Sequence, residues 1–263
     1  MNEPEPKELL ELAIEAAQAG GRLLRERFAA GGEAAVTSKS TPTDLVSQAD
    51  LASQQAIRAL IGARRPKDGF LAEEESADDA GSSGLQWIVD PLDGTVNYLY
   101  GIPIWCVSIA VRDAAGMLAG VVFDPLGDET FSAVRGEPPL LNAAPLRPAR
   151  ERAHTLAQAL VATGFAYDGE VRAAQAGVVS HSMGSMRDIR RCGAAALDLA
   201  WTAAGRFDAY FERTVKIWDT AAGALICESA GLEVHELSDR PGLPGGILAA
   251  PPELAGPLLE LVG

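Results

Sequence analysis

Cysteine is scarce in this sequence. The 263 residues hold three, Cys106, Cys192 and Cys227, and none belongs to a CxxC pair. The odd count argues against a disulfide framework. All three sit in apolar or small-residue runs, the setting of buried free thiols in a reducing compartment, so a cytoplasmic location is expected. Positive charge is also short. Lys and Arg number 22 against 36 Asp and Glu, a formal net charge of -14. Such a polyanion repels nucleic acid and anionic membrane, so neither is an expected partner. It repels phosphate esters too. A phosphate-handling site here needs local positive charge, and metal ions are the obvious source. No apolar run approaches the ~20 residues of a membrane span. The acidic start, MNEPEPKELLELA, lacks the cationic and apolar regions of a standard signal peptide. There is no GxxxxGK[ST], which weighs against nucleoside triphosphate hydrolysis, and no EF-hand loop. Internal repeats, low-complexity tails and long linkers are missing as well.

What remains is the balance of a globular protein, 48% hydrophobic and 22% charged. That length fits one large α/β unit, residues 1–263, with an N-terminal half of about 1–145 and a C-terminal half of about 146–263. Leu9, Leu10, Ala13, Ile14, Ala17, Leu24 and Phe28 recur at helical spacing and predict a helix over 7–28. A second helix is predicted from Asp50 to Ile61, after a turn at Thr41 to Asp44. Gly69 to Ala72 is an apolar approach to three acids, Glu73 to Glu75, and Ala77 to Gly84 reads as a mobile loop. Trp87 to Val89 reads as a short buried strand ending at Asp90-Pro91. Residues 104–134 predict an antiparallel meander. Further strands are expected at 156–162 and 207–211, and helices around 193–205 and 219–230. Mixed strands and helices point to a layered α/β protein.

The chemistry concentrates in WIVDPLDGTVNYLYGIP, residues 87–103. A buried strand delivers Asp90, and Pro91 stiffens the turn. Asp93, three residues on, can face the same point. Gly94 permits a tight backbone, and Thr95 to Tyr98 begin a helix whose N-terminus suits a phosphate. Two carboxylates beside a phosphate make sense only with hard cations between them, and oxygen-only ligands suit Mg²⁺. Alone, Asp90 and Asp93 read equally well as turn and N-cap residues. Glu73 and Glu74 alone are a solvated acidic run, and Asp219, opening a helix of small residues, alone is an N-cap.

Taken together, these segments resemble the inositol monophosphatase family. Asp90-Pro91-Leu92-Asp93-Gly94-Thr95-Val96-Asn97-Tyr98 is similar to its first signature. Trp218-Asp219-Thr220-Ala221-Ala222-Gly223, running on to Ala230-Gly231, is similar to its second. Glu73-Glu74, and Thr43 to Val46 running on to Asp50, match further family segments in order and spacing. The resemblance covers nearly the whole chain. It implies the layered α-β-α-β-α sandwich of the sugar phosphatases and metal-assisted hydrolysis of a small-molecule phosphate ester, best inositol 1-phosphate. It implies that Glu73, Asp90 and the Leu92 carbonyl hold one Mg²⁺, that Asp90, Asp93 and Asp219 hold a second, and that a third sits loosely near Glu73. Glu73 would also orient the attacking water, and Thr95 with Asp50 would help take its proton. Asp93, Gly94, Thr95 and Asp219 would lie against the phosphate. Gly193, Ala194, Ala195 and Glu212 match family positions that line or bind the polyol. The resemblance also implies Li⁺ sensitivity and a homodimer. Histidinol phosphate, fructose 1,6-bisphosphate, 3′-phosphoadenosine phosphate and NADP are the alternative substrates within this chemistry. A non-catalytic regulatory or binding relative is the alternative outside it. The family commonly has a Gly-rich stretch where this chain reads Arg135 to Asn142, and a second glycine where it has Leu232. Those departures touch loop shape rather than the acids.

Overall fold

The computed structural model describes residues 5–31, 36–38, 45–74 and 79–263. Helix α1 (Pro6–Ala29) opens the chain and buries the apolar stripe from Leu9 to Leu24. Pro6 stands in the first turn, where a missing N–H costs nothing. A short ribbon follows, β1 (Val36–Ser38) against β2 (Leu45–Ser47). Helix α2 (Gln48–Arg64) starts on a reciprocal cap. The Ser47 hydroxyl accepts from the Ala49 N–H at 3.1 Å, and the Asp50 carboxylate accepts from the Ser47 N–H at 2.8 Å.

Then come β3 (Asp68–Ala72), β4 (Asp79–Gly81), β5 (Gln86–Asp93) and the one-turn helix α3 (Thr95–Leu99). The meander is β6 (Cys106–Asp113), β7 (Gly116–Asp124) and β8 (Glu129–Val134), trailed by β9 (Leu140–Leu141) and β10 (Ala144–Pro145). The second half holds β11 (Leu160–Thr163), α4 (Gly169–Ser182), β12 (Asp188–Arg190), α5 (Ala195–Ala203) and β13 (Ala209–Arg213). It ends with α6 (Ile217–Ser229), β14 (Glu233–Leu237), β15 (Gly246–Ala250) and α7 (Pro252–Val262).

The strands form an eight-stranded sheet, β10-β9-β8-β7-β6-β5-β3-β4, and a five-stranded sheet, β12-β11-β13-β15-β14. Helices α1 and α2 cover one face of the larger sheet. Helices α5 and α6 lie between the two sheets, and α4 and α7 are on the outer side of the smaller one. Three separate apolar cores fill the spaces, one on the α1–α2 side, one around α5 and α6, and one under α7. The layering is therefore α-β-α-β-α, as the resemblance implies. The alternation along β5 serves two cores at once, with Trp87 and Val89 facing the first and Ile88 the second.

Some expectations change. Part of the expected loop 77–84 is strand, because Asp79–Gly81 pairs with β3 as an edge. Residues 77 and 78, Glu75 and the Thr41–Asp44 turn lie outside the described residues. The strand expected at 156–162 begins with a 3₁₀ turn at Leu156–Gln158 and pairs only from Leu160. Helix α4 was invisible to periodicity because it has no apolar stripe, with only Gln175 and Ser182 fully buried. Helix α7 is masked by Pro252 and Pro257, yet Leu254, Ala255, Leu258 and Val262 anchor it.

Candidate active site

Strand β5 does not stop at Asp90. It runs to Asp93, and its register against β6 shifts between those two residues. Asp90 sits opposite Ser108 and Asp93 opposite Cys106. Residues 106 and 108 share a face of β6, so their partners share a face of β5. Three steps on one strand match two on the other, which is a β-bulge. In a regular strand, residues three apart would point to opposite faces. The bulge at Pro91-Leu92 brings both carboxylates round to the side of α5 and α6. Pro91 has no N–H to lose from the ladder, so it tolerates that position. The Ser53 hydroxyl donates to the Pro91 carbonyl at 2.8 Å and ties the bulge to α2.

Each acid there is fixed by the backbone. The Leu92 N–H donates to Asp90 Oδ1 at 3.0 Å. Among the described residues, none donates a hydrogen bond to Asp90 Oδ2. Asp93 Oδ2 accepts the Ala196 N–H, in the first turn of α5, at 2.7 Å and faces the Cys106 thiol at 3.6 Å. Asp219 is at the third position of α6 rather than at its cap. Its Oδ2 accepts the Lys216 N–H at 2.6 Å. Glu73 follows β3, and its N–H donates to the Val89 carbonyl at 3.1 Å, beside β5.

These groups repel one another. Burial, then the charges of Glu73, Asp93 and Asp219, push the Asp90 carboxyl well above its ordinary range. Burial lifts Asp93 to about 6, against the opposing Ala196 N–H. Burial, then Glu73 and Asp93, lifts Asp219 well above its ordinary range. A carboxylate cluster of this kind gains from a hard cation and loses without one. The donor set, all oxygen, suits a hard divalent cation. Among the described residues, no group of three or more His, Cys, Asp or Glu side chains is placed to hold a metal ion as it stands.

Thr95 begins α3 behind Gly94, whose φ of +95° is a left-handed conformation that side chains disfavour. A methyl at Gly94 would also come within 3.0 Å of the Ile104 carbonyl. The Thr95 hydroxyl lies 2.9 Å from Asp50 Oδ1 and 3.0 Å from the Leu92 carbonyl. The other Asp50 oxygen is occupied by the Ser47 cap, so Asp50 is oriented by the start of α2. Asn97, two residues on, donates to the carbonyls of Ile104 and Cys192, each at 2.8 Å. It clamps this turn to the loop that enters α5. Sequence reasoning recorded Asn97 as part of a motif and missed that clamp.

The acids open onto a cleft of about 370 Å³. Glu73, Asp90, Leu92, Asp93, Gly94, Thr95, Gly193, Ala195, Glu212 and Asp219 all line it. Asp50 stands behind Thr95, and Ala194 is buried at the N-cap of α5, so neither lines it. Glu74 does not line it either. Asp168, Arg191 and Lys216 do, so the described residues of the lining include six carboxylates and two cations. The loop Phe165 to Asp168 was not anticipated at all; nothing in its composition marks it. Arg190 pairs with Asp188 at 2.7 Å and takes no part.

Glu212, on β13 of the smaller sheet, faces the acid turn across the cleft. Its Oε2 accepts the Tyr210 hydroxyl at 2.8 Å. Burial pushes its carboxyl up to about 7, while the Tyr210 hydroxyl and Arg191 pull the other way. Nearby Asp198 of α5 is buried, and the Cys192 thiol is the one described group that interacts with its carboxylate as a hydrogen-bond donor. Burial, then the charge of Glu212, raises it well above its ordinary range.

Comparison with known proteins gives a consistent picture. A model of the inositol monophosphatase family matches residues 5–262. The inositol-1-monophosphatase SuhB of Mycobacterium tuberculosis is 40% identical over 88% of this chain and 82% of its own. The Nus factor SuhB of Pasteurella multocida is 37% identical over 97% of this chain and 95% of its own. The crystal structure of the extragenic suppressor protein suhB from Bartonella henselae superposes with a TM-score of 0.86, at 34% identity, over 97% of this chain and 98% of that one.

Proposed function

The chain belongs to the inositol monophosphatase family, and from that premise we propose a magnesium-dependent phosphomonoesterase acting on a polyol phosphate, inositol 1-phosphate first. The observation that carries the reading is that Glu73, Asp90, Asp93 and Asp219 gather on one cleft wall, where burial and mutual repulsion raise the three aspartates. A phosphate ester enters such a cleft only if positive charge enters with it. Glu73, Asp90 and the Leu92 carbonyl would hold one Mg²⁺, and Asp90, Asp93 and Asp219 a second, with a further ion near Glu73. When bound, Mg²⁺ supplies charge against the phosphate and the leaving oxygen and lowers the pKa of water.

The protein's own groups do the rest. Glu73 orients the attacking water. Thr95 takes up the water's proton through its hydroxyl as that hydroxyl passes its own to Asp50, 2.9 Å away. The N–H groups of Gly94 and Thr95, at a helix start, face the phosphate. Glu212 accepts hydrogen bonds from ring hydroxyls, with Gly193 and Ala195 giving the ring room. No helix among the described residues is long and apolar enough to cross a membrane. A cytoplasmic homodimer belongs to the same proposal.

The test is phosphate release, compared by kcat/KM, from inositol 1-phosphate, histidinol phosphate, fructose 1,6-bisphosphate, 3′-phosphoadenosine phosphate and NADP. Preference for inositol 1-phosphate is expected. Preference for another ester would discard the role given to Glu212 and keep the metal chemistry. A second reading, a binding or regulatory role, is favoured by the name Nus factor carried by the Pasteurella relative. Failure to release phosphate from all five esters would put that reading first.

A further inference from the structure

Strands β11 and β13 run parallel, with Thr163 paired to Phe211. The next residue on each is Gly164 and Glu212. A methyl group placed on the Gly164 α-carbon would lie 2.1 Å from Glu212 Cδ and Oε1 and 2.2 Å from Oε2. That is far inside van der Waals contact. The glycine is not required by its own backbone, because Gly164 is absent from the residues with positive φ. What it supplies is room. On the same face of β13, two residues back, the fully buried Tyr210 donates its hydroxyl to Glu212 Oε2 at 2.8 Å. The carboxylate is thus gripped between a phenol and a missing side chain.

We propose that Gly164 is a positioning residue: its missing side chain is the seat of the Glu212 carboxylate, and that seat sets the selection of polyol esters. The selection part rests on the reading of Glu212 as the polyol contact. An added methyl meets the far end of a flexible side chain rather than the backbone. Glu212 therefore swings out of its seat, loses Tyr210, and no longer meets ring hydroxyls, while the acids on the other wall are untouched.

The experiment is a double-mutant cycle on the full chain with Gly164→Ala, Glu212→Ala and the pair. Kinetics are read with inositol 1-phosphate and with 4-nitrophenyl phosphate, which has no vicinal hydroxyls, and thermal midpoints are read alongside. Gly164→Ala is expected to raise KM for inositol 1-phosphate about tenfold with kcat within about twofold, leaving both constants for 4-nitrophenyl phosphate within about twofold. In the Glu212→Ala background the same change is expected to do nothing further to KM or to the midpoint, because the truncated side chain no longer occupies the seat. If Gly164→Ala alone does not fold, recovery of a folded protein on adding Glu212→Ala supports the steric pairing, and no recovery overturns it. Equal loss of activity on both esters in Gly164→Ala would overturn the proposal in favour of a general structural role. An unchanged KM for inositol 1-phosphate in Gly164→Ala, with a raised KM in Glu212→Ala, would overturn the proposal and leave the Glu212 reading standing. An unchanged KM in Glu212→Ala would sink that reading and the selection part with it.

Discussion

On one wall of the cleft, Asp90 and Asp93 share a single strand and are turned to one side by a bulge in it. On the other, Glu212 stands on a different sheet, between the Tyr210 hydroxyl and the space beside Gly164. The first wall fixes its acids with backbone N–H groups and leaves their charges facing one another. The second holds a single acid against a phenol and near Arg191, with burial still raising it to about 7. The difference separates two tasks. In the proposed function, carboxylates gathered at one point serve a cation, whereas a single carboxyl serves as hydrogen-bond partner to neutral hydroxyls.

The comparison breaks most visibly at Asp93. Asp93→Asn is expected to lower phosphate release by at least about a thousandfold, ~4 kcal/mol of barrier, at saturating Mg²⁺. The same change removes a buried, repelled charge, so the thermal midpoint in chelator is expected to hold or rise. Activity near that of the unmodified protein would remove Asp93 from the metal site.

A smaller effect sharpens the other wall. Folding raises the Glu212 carboxyl from 4.5 to about 7. An acid raised on folding leaves stability intact below its unfolded value and erodes it as pH rises through its folded value. The metal-free protein is therefore expected to lose stability between pH 4.5 and about 7 through this group. After discounting for partial exposure, the loss is of order 2 kcal/mol. Glu212→Gln is expected to abolish that slope, so the variant melts above the unmodified protein at pH 8 and level with it near pH 4.5. Parallel melting curves across that range would contradict the assignment.

The smallest effect lies two residues on. Thr214 lines the cleft with φ of +72°, a left-handed conformation that a β-branched residue adopts only under strain. Thr214→Gly is expected to stabilise the chain by about 1 kcal/mol, read by denaturant unfolding. Destabilisation would mean that the side chain contributes more than the strain costs.

Much of this was legible in the sequence, unevenly. The meander and α1 follow from alternation and helical spacing. The acid turn was legible as a motif because Asp90 and Asp93 lie three residues apart. That Asp90 and Asp93 face one side was readable; that a bulge achieves it was not, because the register is set by the partner strand. The Glu212 wall was only half legible. Tyr210 and Glu212 alternate on one face, a local signal, but Gly164 and Asp198 reach that wall from β11 and α5. Their proximity is a product of sheet and layer order. The clamp made by Asn97 was hidden for the same reason, since Cys192 is 95 residues away. Helix α4 and the loop before it carry no periodic signal, so their share of the cleft appears only in three dimensions.

The most direct test is phosphate release from inositol 1-phosphate by the full chain, first stripped with chelator and then titrated with Mg²⁺. The expected result is no turnover in chelator and recovery as Mg²⁺ saturates, with Asp93→Asn flat throughout. Equal rates with and without Mg²⁺ would contradict the claim that this cluster of acids works by holding the cation.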